Sequence, residues 1–332
     1  MNYKKIPVII VTGFLGSGKT TLINHVIHSA KDINIGVLVN EFGDVGIDGA
    51  LIVGETESVI EITNGCICCT VRSDLVTGIE RLLDASGGHL DRIIIETSGL
   101  ADPAPVLQTF LVNPDLRERL VLESVVTVVD SFHISEHIQH QVAEEQILFA
   151  DFVILNKSDL LETQEAQARS EALLEKLNPT AERIFVEHSA VQASDFFAGE
   201  RFSLPNILQH EPDLLASMDH SHEHDLSINF QAFRVDAPLN ASLFNHWVNR
   251  LVQEQGANLL RMKGILFIAG EPRQFVFHSV HMILNMQPGK PWPNLEAAHT
   301  LLVVIGRGID EMSIRAGLEA CVEIPLHRKK AG

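Results

Sequence analysis

The sequence predicts an α/β chain, with a first domain on a mostly parallel sheet and a smaller α+β domain behind it. Three observations carry that prediction. Apolar runs of strand length recur between residues 6 and 186, several followed by a turn and a stretch with apolar residues at helical spacing. That alternation suits a parallel sheet covered on both faces. The run Ile6-Pro7-Val8-Ile9-Ile10-Val11 leads into Gly13-Phe14-Leu15-Gly16-Ser17-Gly18-Lys19-Thr20, a glycine-rich turn that opens a helix. Composition then shifts after residue 198, and new strand and helix patterns begin near Ile228.

The elements follow in order. After the first strand and a helix over Thr20 to Ser29, Ile35-Gly36-Val37-Leu38-Val39 reads as a second buried strand. It runs into the polar, glycine-punctuated stretch from Asn40 to Gly49, whose Glu41, Asp44 and Asp48 either reach a cation or form a solvated connection. Val59 to Ile62 is a short strand, and Asp74 to Leu83 has helical spacing. Arg92 to Glu96, Val125 to Asp130, Phe152 to Leu155 and Ile184 to Val186 are further parallel-type strands, with a helical pattern over Thr163 to Leu177. Residues 199 to 225 contain Pro205 and Pro212 and end in a tip with His220, His222 and His224, which reads as an interdomain linker. The tip is either solvated or a weak metal trap. Strands near 228 to 235, 264 to 268, 274 to 278 and 300 to 305, with helices near 241 to 255 and 310 to 320, complete a domain over 226 to 328.

Composition narrows the functions. With 332 residues the chain is long enough for about two domains, and 45% hydrophobic against 20% charged residues is ordinary for a globular protein. Forty-three acidic against 25 basic residues leave a charge of −18, which repels nucleic acid and anionic membranes. No apolar run approaches the roughly 20 residues that span a bilayer. The first twelve residues also lack a signal-peptide pattern, so a cytoplasmic protein without nucleic-acid or membrane partners is expected. Of four cysteines, three crowd into Cys66 to Cys69 and one is Cys321, which points to metal or redox use and not to a disulfide framework.

The stretch Gly13 to Thr20 is a complete phosphate-binding loop, which makes residues 1 to 198 a P-loop NTPase domain. Gly13, Gly16 and Gly18 let backbone N–H groups approach phosphate oxygens, with Ser17 and Thr21 alongside. Lys19 neutralises the β and γ phosphates, and the Thr20 hydroxyl is placed to ligate Mg²⁺. Asn156-Lys157-Ser158-Asp159, at the end of a strand, specifies guanine. The Asp159 carboxylate accepts the N1–H and N2 donors, Asn156 contacts the N7 edge, and the Lys157 stem lies along the ring. Adenine lacks the donor pair and would leave that carboxylate unpaired. Glu96 at a strand end can hold Mg²⁺ directly or through water, and the Gly99 N–H can report the γ-phosphate. No Gln or Arg finger is identifiable, so intrinsic hydrolysis should be slow.

Cys66-Ile67-Cys68-Cys69, opened by Asn64-Gly65, can turn three sulfurs toward one point. Zn²⁺ wants four tetrahedral ligands, so an incomplete set suggests an exchangeable site. A permanent zinc, a redox switch and buried apolar thiols are the alternatives.

Together these motifs resemble the CobW-like GTPases, P-loop metallochaperones that share the phosphate loop, Asn40-Glu41-Phe42-Gly43, the cysteine motif, Glu96 to Pro103 and Asn156 to Asp159. Leu260-Arg261-Met262-Lys263-Gly264 and Gly270-Glu271-Pro272 resemble that family's C-terminal module. The resemblance implies that the GTP state organises a thiolate site for Zn²⁺ or Co²⁺, and that hydrolysis to GDP loosens it for transfer to a client metalloprotein. Met1 to Pro7 lacks the Cys-Pro docking motif of some zinc-transferase relatives, so no client carries over. A homodimer is compatible with the pattern. A non-enzymatic zinc sensor or storage protein using GTP as a structural switch is the main alternative, and a P-loop kinase is disfavoured by Asn156 to Asp159.

Overall fold

The structure, a computed structural model, describes residues 5–30, 33–40, 59–62, 71–87, 89–198 and 228–323. The chain divides into two compact units, Met1–Ser203 and Leu204–Gly332.

The first unit holds a seven-stranded sheet of β1 (Ile6–Thr12), β2 (Ile35–Asn40), β3 (Val59–Ile62), β4 (Arg92–Thr97), β5 (Leu120–Asp130), β6 (Phe152–Asn156) and β7 (Glu182–Phe185), in the order β3-β2-β4-β1-β5-β6-β7. Every pairing is parallel. Burial on both faces explains the apolar runs: Val8 to Val11, Ile93 to Ile95 and Phe152 to Leu155 are all buried. One layer joins Leu22 and Val26 of α1 (Lys19–Ser29) and Phe196 of α8 (Ala193–Phe196) to Ile9, Val11, Ile94 and Phe152. The opposite layer joins Ile134 of α5 (Ile134–His137), Ile147 of α6 (Gln141–Leu148) and Leu174 of α7 (Gln164–Leu177) to Val129, Val153 and Leu155. Three further helices, α2 (Val71–Ala85), α3 (Ala104–Val112) and α4 (Pro114–Arg119), complete the crossovers. Because β1 lies between β4 and β5, its carboxyl end opens where the chain turns from one half of the sheet to the other. That is the crevice in which such sheets bind ligands.

The second unit is a five-stranded antiparallel sheet of β8 (Ile228–Val235), β9 (Leu259–Leu266), β10 (Arg273–Val280), β11 (Ile283–Pro291) and β12 (Thr300–Arg307), in the order β11-β10-β9-β12-β8. Two helices, α9 (Ala241–Gln255) and α10 (Glu311–Glu319), bury Phe244, Trp247, Leu251, Ile314 and Leu318 on Met262, Phe277, Leu302 and Val304. The Asn240 carboxamide caps α9 at Ser242 and Leu243, and Asp310 caps α10 at Ser313. The expected strand at 264 to 268 in fact starts at Leu259 and ends at Leu266, and β11 lies in a stretch for which no element was expected. Arg261 and Lys263 are buried within β9, and burial pushes the Arg261 guanidinium down to about 9.

Candidate nucleotide site

The loop between β1 and α1 has the backbone that its glycines predict, with φ of 143°, 73° and 105° at Gly13, Gly16 and Gly18. Gly18 is the N-cap of α1 and brings no side-chain cap, so the first N–H groups of the helix face the loop's concavity. A Cβ on Gly18 would lie 2.4 Å from Asn156 Nδ2. Glycine is therefore required there twice over, for φ and for space. Lys19 is only 8% exposed, and its Nζ donates to the carbonyls of Gly13 at 2.8 Å and Phe14 at 3.2 Å. Burial lowers the Lys19 pKa, and the nearby Glu96 carboxylate opposes that shift. The Ser17 hydroxyl oxygen is buried without a partner among the described residues, whereas Thr21 is exposed one residue beyond Thr20 on α1.

Glu96 sits beside Val11 in the register of β4 against β1. The Thr20 hydroxyl donates to Glu96 Oε1 at 2.7 Å, and the carboxylate is 5% exposed. One residue on, Thr97 Oγ1 donates to Thr12 Oγ1 at 2.8 Å, which ties the two strand ends together. Gly99 then abuts the phosphate loop, since a Cβ there would come within 2.8 Å of the Leu15 nitrogen. The residues expected to act on the γ-phosphate, Lys19, Glu96 and Gly99, are thus all drawn to one loop. A hydroxyl and a carboxylate oxygen in direct contact are hard donors of the type Mg²⁺ prefers, so Thr20 and Glu96 fit that ion.

Asn156 ends β6 at 3% exposure, and its side chain is engaged at both ends. Nδ2 donates to the Ser17 carbonyl at 2.8 Å and to Ser189 Oγ at 2.9 Å, while Oδ1 accepts from the Ser189 N–H at 2.8 Å. The expected contact of Asn156 with the N7 edge of guanine meets a carboxamide whose donors and acceptor are already used. Those bonds strut the phosphate loop to the turn at Ser189. That turn was missed by sequence reasoning, and its one signal is a short Ser-Ala just beyond the last strand. It holds His188 and Ser189 at φ of 51° and 58°, and Ser189 Oγ also donates to the Gly18 carbonyl at 3.2 Å.

Lys157 adopts φ of 62°, and its Nζ donates to Asp130 Oδ2 at 2.7 Å. Asp130 also accepts from the N–H groups of Phe132 and His133, and its Oδ2 lies 3.0 Å from His133 Nδ1. Burial alone would raise the Asp130 carboxyl, but the hydrogen bonds from Lys157 and His133 together hold it below its ordinary range. Asp159 lies in the short 3₁₀ turn Ser158–Leu160 with its side chain exposed, open to a base.

Cys66, Cys68 and Cys69, the stretch 41 to 49 and the histidine tip all lie outside the described residues. Among the described residues, no group of three or more His, Cys, Asp or Glu side chains could hold a metal ion, and no helix is long and apolar enough to cross a membrane.

Residues 7–185 match the family model described as the CobW/HypB/UreG nucleotide-binding domain, and residues 228–322 match the cobalamin synthesis protein cobW C-terminal domain. The chain is 34% identical over 316 residues to the zinc chaperone YjiA of Escherichia coli, covering 94% of this chain and 97% of that protein. It is 36% identical over 351 residues to the zinc chaperone CobW of Pseudomonas aeruginosa, covering 93% and 90%. The crystal structure of Zn(II)-bound YjiA GTPase from E. coli superposes with a TM-score of 0.68 at 29% identity, covering 97% of this chain and 100% of that one. A phosphate loop strutted to an Asn-Lys-x-Asp turn, with both family domains in sequence, places this chain in the CobW family of nucleotide-binding proteins.

Proposed function

We propose that this protein is a GTP-binding, slowly GTP-hydrolysing metallochaperone that takes up Zn²⁺ as cargo through Cys66, Cys68 and Cys69 and passes it to a client metalloprotein. The observation that carries the nucleotide half is the Asn156 strut, which joins the Ser17 carbonyl of the phosphate loop to the Ser189 turn and so makes the phosphate and base sites one unit. The cargo half is supported by relatives named zinc chaperones and by a Zn(II)-bound GTPase of the same family. Co²⁺ would suit the same thiolates.

Each residue then has a distinct task. Asp159, exposed and anionic, accepts the two donors on the guanine edge. The Lys157 stem, fixed by its ion pair with Asp130, lies along the base. Lys19, held at the loop carbonyls, offers its positive charge to the β and γ phosphates. Thr20 and Glu96 hold Mg²⁺, which when bound offsets negative charge developing on the phosphates. Glu96 also orients water through its place at the end of β4, and Gly99 reads the γ-phosphate through its N–H. Slow turnover follows from the lack of an identifiable Gln or Arg finger. The domain limits of 1–198 and 226–328, with 199–225 as linker, belong to the same proposal.

Zn²⁺ affinity measured with a non-hydrolysable GTP analogue, with GDP and without nucleotide tests the coupling of the two halves. The expected order is tightest with the analogue, and Cys68→Ala should abolish tight binding in every state. Equal affinities in all three states would refute a nucleotide-timed chaperone. Phosphate release that Zn²⁺ leaves unchanged would favour the sensor or storage reading.

A further inference from the structure

Gln146 lies on α6, 50 residues beyond Glu96 and outside every recognised motif, yet it is fully buried against the segment that follows β4. Its Nε2 donates to the Gly99 carbonyl at 3.2 Å and to the Ala101 carbonyl at 3.1 Å. Two carbonyl acceptors on one side settle which end of the carboxamide carries the hydrogens. Its own main-chain carbonyl accepts from Thr127 Oγ1 at 2.6 Å, so the donor is anchored to β5 in turn. The other side of the segment is fixed by Thr97 on Thr12 and by Gly99 against the Leu15 backbone. Gln146 also lines a small cavity with Phe14 of the phosphate loop, Thr127, Asp130 and His137, and its Oε1 has no partner among the described residues.

A buried amide aimed at two consecutive-turn carbonyls is a poor choice for simple packing. A leucine or methionine of similar volume would fill the space without stranding Oε1, but it would leave the Gly99 and Ala101 carbonyls without this donor. What the amide adds is orientation. By holding the Gly99 and Ala101 carbonyls it fixes the rotation of the Gly99–Leu100 and Ala101–Asp102 peptides, and so restricts the backbone dihedrals of Gly99, whose N–H belongs to the preceding peptide, beside the phosphate loop. We infer that Gln146 is a positioning residue for γ-phosphate recognition, acting through the backbone of residues 99 to 101 and not by contact with the nucleotide. This rests on the reading of Gly99 as the γ-phosphate sensor.

The test compares wild-type protein with Gln146→Met, which keeps the volume and loses the donor, and Gln146→Asn, which keeps the amide but falls a methylene short. Affinities for a non-hydrolysable GTP analogue and for GDP are measured by titration, with single-turnover phosphate release and thermal unfolding alongside. Loss of two hydrogen bonds to fixed carbonyls should cut the analogue-to-GDP affinity ratio and the release rate about tenfold in Gln146→Met, with GDP affinity within about twofold of wild type. Gln146→Asn should fall between the two. If wild type discriminates and both variants discriminate equally well, with only their melting temperature lowered, Gln146 is merely structural and the inference is overturned. If wild type itself binds the analogue and GDP alike, the γ-phosphate reading fails, and the inference with it.

Discussion

Replacing Asn156 by alanine separates a strut from a base contact. The wild-type side chain makes hydrogen bonds of 2.8, 2.9 and 2.8 Å at a site only 3% exposed, so solvent offers little replacement. At about 1 kcal/mol net for each bond, Asn156→Ala should cost about 3 kcal/mol, and stranding the buried Ser189 N–H pushes the loss upward. That is a large share of the roughly 5–15 kcal/mol that stabilises a typical domain. With a urea m-value near 2–3 kcal/mol/M, the midpoint for the first unit should fall by roughly 1–1.5 M. The assay is urea unfolding without nucleotide, followed by far-UV circular dichroism. Both tryptophans, Trp247 and Trp292, lie in the second unit, so their fluorescence reports that unit separately and should not move. If the nucleotide-free midpoint stays at the wild-type value while GTP affinity falls, Asn156 acts on the base and the strut reading is wrong.

Two further outcomes follow from the described side chains. Asp130 is held below its ordinary pKa, so its ion pair with Lys157 and its hydrogen bonds add stability above the unfolded carboxylate value of about 3.9, and that stability is lost as pH falls through the lower folded value. Asp130→Asn should therefore unfold more easily than wild type at pH 7, and the gap should close in strong acid. Burial pushes the Cys321 thiol up to about 11, and its Sγ donates to the Gly317 carbonyl at 3.1 Å. A thiol reagent at pH 8 should spare Cys321 in the native protein and modify it only after denaturation, which leaves the native reaction to report Cys66, Cys68 and Cys69.

The parallel sheet was legible because β1, β4 and β6 are buried on both faces and so read as uninterrupted apolar runs. β11 was not, because Ile283–Pro291 is a half-buried edge strand carrying Pro288 and Gly289, the residues that also mark a loop. β9 was placed late because Arg261 and Lys263 interrupt its apolar pattern, although both are buried in the fold. In the site, the phosphate loop and the Asn-Lys-x-Asp turn are local in sequence and could be found by spacing. Ser189 and Gln146 are not local: each acts through backbone groups distant in sequence, and a contact with a carbonyl leaves no mark on the residue that supplies it. The same limit applies in reverse to Asn156, whose identity was visible and whose partners were not.

The two bonds from Lys19 to the loop carbonyls alter what nucleotide binding means for this protein. Without a ligand the ammonium is not swinging in solvent, and the roughly 2 kcal/mol of rotamer freedom that a lysine carries has already been given up in folding. The two carbonyls occupy only two of the three donors of the ammonium. Gly13 and Phe14 therefore act as a backbone rest that holds the positive charge at the loop, with a donor to spare for a phosphate oxygen, so part of the ordering cost of nucleotide capture is met when the chain folds.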